Sequence, residues 1–162
     1  MTTVDDVEAC VRAQHDHLVR AVAVVTGSVA GAEDAVQEAF VRAWTRADRG
    51  DDFTHLAGWV ATVALNVARN DRRHRKVAER KLPALVTSPT ELDVDARVDL
   101  QRAVLALPDR QRQVVVLYYL LDLDVATVSE LLGVSDGTVK TALSRARDSL
   151  ATALRTTEVD ST

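Results

Sequence analysis

Apolar positions along the chain fall at steps of three and four in several separate runs, and each run predicts an amphipathic helix. Val7, Val11, Leu18, Val22 and Val25 predict a helix over residues 4–27, interrupted or completed near Thr26 and Gly27, and residues 28–31 read as a short turn. Ala35, Val36, Ala39, Phe40, Ala43 and Trp44 form a wide apolar face over residues 32–44. Periodicity lapses over residues 45–56, where Asp48, Arg49, Gly50, Asp51 and Asp52 read as a loop. It returns over residues 57–76, with Trp59, Val60, Val63, Ala64, Val67 and Ala68 directed inward. Residues 81–94 contain Pro83 and Pro89 and no apolar stripe, so they read as a flexible linker. Residues 95–107 predict a helix ended by Pro108, and the long apolar run in residues 109–121 marks the buried centre of a second module. The expectation is an all-α chain: two small helical domains joined by that linker.

Residues 123–150 organise the second domain. Val125, Val128, Leu131 and Leu132 make one stripe, Gly133 is suited to the left-handed conformation that ends a helix, and Ser135 is a good N-cap for the next. Val139, Leu143, Ala146 and Leu150 then face inward, which turns Lys140, Thr141, Ser144 and Arg145 outward. Two short helices about a glycine turn, the second polar and basic on its free side, are a helix-turn-helix that fits the major groove. The same spacing also suits an ordinary helical hairpin with a solvated face.

Charge distribution bears on that choice. The 162-residue chain carries a net charge of −4, which is unpromising for a DNA binder until its placement is examined. Arg69, Arg72, Arg73, Arg75, Lys76, Arg80 and Lys81 cluster against only Asp71 and Glu79, and such a block neutralises several phosphates at once. Acids gather elsewhere. Glu33, Asp34, Gln37, Glu38 and Arg42 form the polar side of the second helix, and such a face serves either solubility or docking on a basic partner. Asn66, Arg69, Asn70, Arg72 and Arg73 are side chains shaped for phosphate oxygens and base edges.

Other chemistry is thin. With one cysteine, Cys10, the chain has no internal disulfide framework. Cys10, His15 and His17 make a poor zinc cage, and His55 and His74 read as loop and surface residues, so neither a metal nor a cofactor is expected. Trp44 and Trp59 read as core anchors, with Trp59 also placed to stack on a base. No phosphate-cradling loop or catalytic triad occurs, so no catalytic residue is assigned and the chain is not read as an enzyme. The N-terminus is acidic and no apolar run reaches bilayer length, so a cytoplasmic protein without membrane insertion is expected.

Three strings in order, AEDAVQEAFVRAW, GWVATVALNVARNDRRHRK and LPDRQRQVVVLYYLLDLDVATVSELLGVSDGTVKTALSRAR, resemble the extracytoplasmic-function (ECF, group IV) sigma factors of the sigma-70 family, in an actinobacterial-like form. The resemblance spans residues 10–154. It implies an alternative sigma factor that directs promoter recognition and transcription initiation by bacterial core RNA polymerase. A stand-alone helix-turn-helix transcriptional regulator is the alternative, and would use the C-terminal module alone.

The resemblance further implies a sigma-2-like domain over residues 1–80, a linker over 81–94, a sigma-4-like domain over 95–155 and a tail over 156–162. Glu33, Asp34, Gln37, Glu38 and Arg42 would meet the polymerase, whose beta and beta-prime subunits are the implied partners. Trp59, Asn66, Arg69, Asn70, Arg72 and Arg73 would bind the −10 element, with the loop over residues 48–56 beside a base drawn from the stack. Ser135, Thr138, Lys140, Thr141, Ser144 and Arg145 would meet the −35 element of promoter DNA. The linker acids Glu91, Asp93 and Asp95 would mimic nucleic-acid charge inside the polymerase. An anti-sigma factor is a further implied partner. Two positions depart from the family pattern: Thr127 stands where an acid is usual, and Ala142 where a basic or bulky polar residue is usual. With Ala142 read as facing the groove, the −35 preference is expected to be shifted.

Overall fold

The computed structural model describes the backbone of residues 1–74 and 94–160, and the side chains of residues 1–71 and 98–156. The linker over residues 81–94 and the basic residues Arg75, Lys76, Arg80 and Lys81 fall outside the described residues, apart from the backbone of Val94. Among the described residues there are seven α-helices: α1 Val4–Thr26, α2 Val29–Asp48, α3 Leu56–His74, α4 Val94–Leu105, α5 Asp109–Val115, α6 Val125–Leu132 and α7 Asp136–Asp160. A π-helical turn, Val116–Leu120, continues α5.

Local signals set the first three boundaries. Thr3 and Asp6 form a reciprocal capping box, the Asp6 N–H donating to Thr3 Oγ1 at 3.2 Å and the Thr3 N–H to Asp6 Oδ2 at 2.7 Å. Gly27, at φ 71°, ends α1 in the left-handed conformation, and its N–H reaches the Ala23 carbonyl at 2.9 Å. Ser28 at once caps α2 by accepting from the Gly31 N–H at 3.1 Å. Residues 29–31, expected as a turn, are therefore helical: the Ser28 hydroxyl satisfies an otherwise orphaned N–H and lets α2 start early. Helix α2 also runs four residues further than expected, to Asp48, leaving the loop over residues 49–55.

Alanine sets how closely these helices approach. Ala32, Ala35, Ala39 and Ala43 are fully buried along α2, so α1 and α3 settle close to its backbone around Leu18, Val22, Val36 and Val60. Ala43 and Ala47 take the interior positions of the last turns, and this corrects one expectation: Trp44, at 45% exposure, stands at the margin of the stripe rather than in the core.

The last four helices do not stand apart from the first three. Val114, Val116, Leu117, Leu123, Val128, Val139 and Leu143 belong to the same apolar cluster as Leu18, Val22 and Val60. Independent modules were expected because the linker has no apolar stripe. The surface that joins them comes instead from folded faces, with the π-helical turn against α1 and α3, and α6 against α3. At Gly58 the approach is so close that a Cβ would lie 2.6 Å from Leu131 Cδ1 and 3.2 Å from Leu123 Cδ1. A smaller cluster of Leu107, Val115 and Ala146 fastens α5 to α7.

Leu18 is fully buried where α1 meets its neighbours. Truncation by Leu18→Ala is expected to lower stability by about 2–5 kcal/mol, read as an earlier midpoint in urea unfolding with an unchanged slope.

Candidate nucleic-acid and protein interfaces

Glu33, Asp34, Gln37, Glu38 and Arg42 are all exposed along one side of α2, as their spacing predicts. Arg42 pairs with Glu38 one turn earlier, so the uncompensated charge lies toward Glu33 and Asp34. Beside them stand two exposed apolar residues, Val41 at 58% exposure, which the helical spacing did not single out, and the displaced Trp44. The signal for Val41 was its step of four from Gln37, on the polar side. Exposed aliphatic and indole surface rimmed by acids is a composition that protein interfaces share.

The second site forms where the loop over residues 49–55 enters α3. Phe53 and Trp59 meet edge to face, ring centres 4.9 Å apart. The Arg46 guanidinium lies 5.1 Å from the centre of each ring, and its Nε donates to Asp51 Oδ2 at 3.2 Å, so one cation braces both rings and the loop. Asp52 fixes the other side: its Oδ1 accepts from the Thr2 hydroxyl at 2.6 Å, the Thr2 N–H at 2.8 Å and the Phe53 N–H at 2.9 Å. These bonds, the Thr2 hydroxyl foremost, hold the Asp52 carboxyl below the usual carboxylate range. His55 is structural here, its Nδ1 accepting from the Gly58 N–H at 2.9 Å in the first turn of α3. Trp59 is half-buried, so it packs against the core and keeps part of its ring accessible. Beside it lies a cavity of about 220 Å³ whose far wall is made by Thr127, Glu130 and Leu131 of α6.

Further along α3, Asn66 and Arg69 are half-buried and Asn70 is exposed. Asn66 Oδ1 accepts from Gln113 Nε2 at 3.1 Å, and Arg69 Nη1 lies 3.6 Å from Asp109 Oδ2. Arg72 and Arg73 continue the helix, and their side chains lie outside the described residues.

The third site is the helix-turn-helix. Asp124 caps α6, accepting from the Thr127 N–H at 2.7 Å, and this bond lowers its carboxyl from the usual range. Gly133, at φ 66°, ends α6, and Ser135 Oγ caps α7 by accepting from the Thr138 N–H at 3.1 Å. Ser135, Thr138, Lys140, Thr141, Ser144 and Arg145 are all exposed. Ser135, Thr138, Thr141 and Arg145 line a concavity of about 480 Å³ that Arg110 and Gln111 close from α5. Those two were missed, although the polar string DRQRQ at a helix start carried the signal. Ala142 corrects a second expectation. At 8% exposure it is buried beside Val139 and Leu143, so it faces the concavity only as its floor and presents no side chain above it.

Among the described residues no group of three or more His, Cys, Asp or Glu is arranged to hold a metal ion, and no helix is long and apolar enough to cross a membrane. Cys10 is half-buried, which raises its thiol pKa, and His15 is paired with Asp16 beside the Phe40 ring.

Residues 10–77 match the family model for sigma-70 region 2, and residues 97–150 match that for sigma-70 region 4. The chain is 34% identical over 147 residues to the ECF RNA polymerase sigma factor SigW of Bacillus subtilis, covering 80% of this chain and 78% of that protein. It is 30% identical over 143 residues to the ECF RNA polymerase sigma factor SigM of Mycobacterium tuberculosis, covering 86% and 72%. In fold it is similar to the sigma factor RpoE from Bartonella quintana, solved with the anti-sigma factor NepR, with a TM-score of 0.76 at 22% identity over 93% of this chain and 97% of that one.

Two outcomes are expected from this geometry. A carboxyl whose folded pKa is depressed contributes stability that is complete above its unfolded value and is lost as pH falls through the folded one. The Phe53 amide resonance should therefore move as pH drops below about 4, and should not titrate in Asp52→Asn. At Ala142, on the floor of the concavity, an arginine would extend into open space beside Thr138, Thr141 and Arg145: Ala142→Arg should shift thermal unfolding by no more than about 0.5 kcal/mol, and a larger loss of stability would show that the floor is closed to a long side chain.

Proposed function

The chain belongs to the sigma-70 family as an extracytoplasmic-function RNA polymerase sigma factor, and from that premise we propose how its surfaces divide the recognition of a promoter. It directs promoter recognition and transcription initiation by bacterial core RNA polymerase. Residues 1–80 act as the sigma-2-like domain, 81–94 as the linker, 95–155 as the sigma-4-like domain and 156–162 as a tail. The reading rests above all on the coexistence of an exposed acidic face on α2 and a helix-turn-helix on α6 and α7. A stand-alone regulator has no use for the first.

Glu33, Asp34, Gln37, Glu38 and Arg42 dock on the polymerase, with Val41 and Trp44 adding apolar contact. The acids steer the encounter, and the apolar pair gains from losing water. At the −10 element Trp59 and Phe53 offer stacking faces to an extruded base, whose extraction costs a few kcal/mol that stacking offsets. Asn66, Arg69, Asn70, Arg72 and Arg73 hold the strand, the arginines fixing phosphates more than reading sequence. At the −35 element α7 enters the major groove. Ser135, Thr138, Thr141 and Ser144 present hydrogen-bonding groups to base edges, while Lys140 and Arg145 meet phosphates.

Promoter DNA and the beta and beta-prime subunits of the polymerase are thus the partners, in the cytoplasm where transcription takes place. An anti-sigma factor is the further partner, supported by the likeness in fold to a sigma factor solved with one. The assignment to an actinobacterial-like, group IV branch is supported by the similarity to SigM. Catalysis belongs to the polymerase.

Run-off transcription from a promoter library, with core polymerase and with or without this chain, tests the reading. Transcripts that depend on the chain and share a −10 and −35 pair are expected. Their absence, with tight duplex binding by the chain alone, would support the stand-alone regulator. Trp59→Ala should lower promoter use by about five- to a hundredfold, the loss of one stacked base, while sparing −35 duplex binding.

A further inference from the structure

The surroundings of Trp59 are acidic. Among the described residues that line the cavity beside it, Asp52 and Glu130 carry negative charge and Arg46 is the one permanent cation. Over residues 48–52, Asp48, Asp51 and Asp52 outnumber Arg49. A base stacked on Phe53 and Trp59 brings its own phosphate with it, and a phosphate in such surroundings is repelled unless a cation meets it. The −10 arginines of α3 serve other nucleotides: Arg69, the first of them, follows Trp59 by ten residues, about 15 Å along a helix.

Arg46 has the geometry for this task. It lies in the last turn of α2, with its guanidinium 5.1 Å from the centres of both rings and its side chain 42% exposed. Among the described residues its hydrogen bonding is confined to one edge, Nε donating to Asp51 Oδ2 at 3.2 Å. The two Nη groups, the fork that grips a phosphate, are therefore not spent on the protein. Asp52 competes weakly for them, because its Oδ1 is taken by Thr2 and the Phe53 N–H. The Asp51 bond and the two rings also hold the guanidinium in place beforehand, so little side-chain freedom is lost when an anion arrives. Resting on the sigma-factor reading, we infer that Arg46 is a further −10 contact, its Nη groups holding the phosphate of the nucleotide whose base stacks on Phe53 and Trp59. It places charge and does not read sequence.

The test uses holoenzyme assembled from core polymerase and the full chain, with fluorescein-labelled single strands carrying the −10 sequence found by run-off transcription. In each strand one phosphate is replaced by an uncharged methylphosphonate, and the extruded base is identified as the one whose removal weakens wild type but not Trp59→Ala. Wild-type holoenzyme is expected to bind about five- to tenfold more weakly when the phosphate beside that base is neutralised. Arg46→Gln should lose nothing further on that strand, while neutralisation elsewhere weakens both proteins alike. The variant should also flatten the slope of log affinity against log salt by about 0.7, the share of one single-strand phosphate, whereas Arg46→Lys keeps the wild-type slope. A loss by one common factor on every strand, with an unchanged slope, would reduce Arg46 to a brace for the two rings and overturn the proposal. Full wild-type affinity in Arg46→Gln would overturn it too. Failure of the sigma-factor reading shows separately, as wild-type holoenzyme that neither transcribes nor binds any −10 strand beyond core polymerase alone, and the proposal falls with it.

Discussion

Leu117 has no exposed surface, and the arrangement of the two halves depends on that burial. It lies in a π-helical turn whose closing bond runs from the Leu121 N–H to the Val116 carbonyl at 3.1 Å, one residue longer than an α-helical bond. The extra residue rotates the chain beyond the turn. The Leu123 N–H returns to the Leu117 carbonyl at 3.1 Å, Asp122 adopts φ 54°, and Leu123 is delivered to the face of Gly58. An aspartate tolerates that left-handed conformation because its short polar side chain bonds locally, and here it stands where a β-branched residue would be strained. A regular α-helix through residues 116–120 would carry α6 to a different place, and the wall that α6 contributes beside Trp59 would go with it.

The range of each interaction decides how much of this was legible in the sequence. Signals acting within one turn were readable: Gly27 and Gly133 as helix ends, Ser135 as a cap, and the outward set from Thr138 to Arg145. Ser28 was the exception, since the string Ser-Val-Ala-Gly reads equally as a turn until the Gly31 N–H is seen to bond its hydroxyl. Trp44 and Ala142 were misplaced for a common reason. Spacing locates a stripe but not its edges, and volume decides there: the small Ala43, Ala47 and Ala142 went inside, and the indole stayed at the margin. The docking of the two halves was not legible at all, because it joins residues some seventy positions apart, such as Gly58 and Leu131, through faces that each look like ordinary core stripes.

Of the candidate sites, the α2 face and the α7 face were legible almost residue for residue, as both are single-helix patterns. The aromatic pocket was only half so. Trp59 was named, but Phe53, Arg46 and Asp52 come together through a loop, and nothing in a loop's spacing announces that a guanidinium will sit equally over two rings. The overall charge of −4 misleads in the same way, since it averages an acidic patch on α2 with a cationic stretch at the end of α3.

The contact between the halves rests on a few individually small interactions. A partly exposed ion pair such as Arg69–Asp109 is worth at most about 1 kcal/mol, and a neutral hydrogen bond such as that from Gln113 to Asn66 about the same. Seating one leucine adds about 1.5–3 kcal/mol when its burial is complete, and Leu131 is only partly buried. The contact is therefore held by a few kcal/mol, most of it apolar. Replacing the polar pair by two more leucines would strengthen it. Polar groups at this seam thus keep the contact modest: Asn66 and Arg69 would return to water at little cost, as a buried apolar side chain would not.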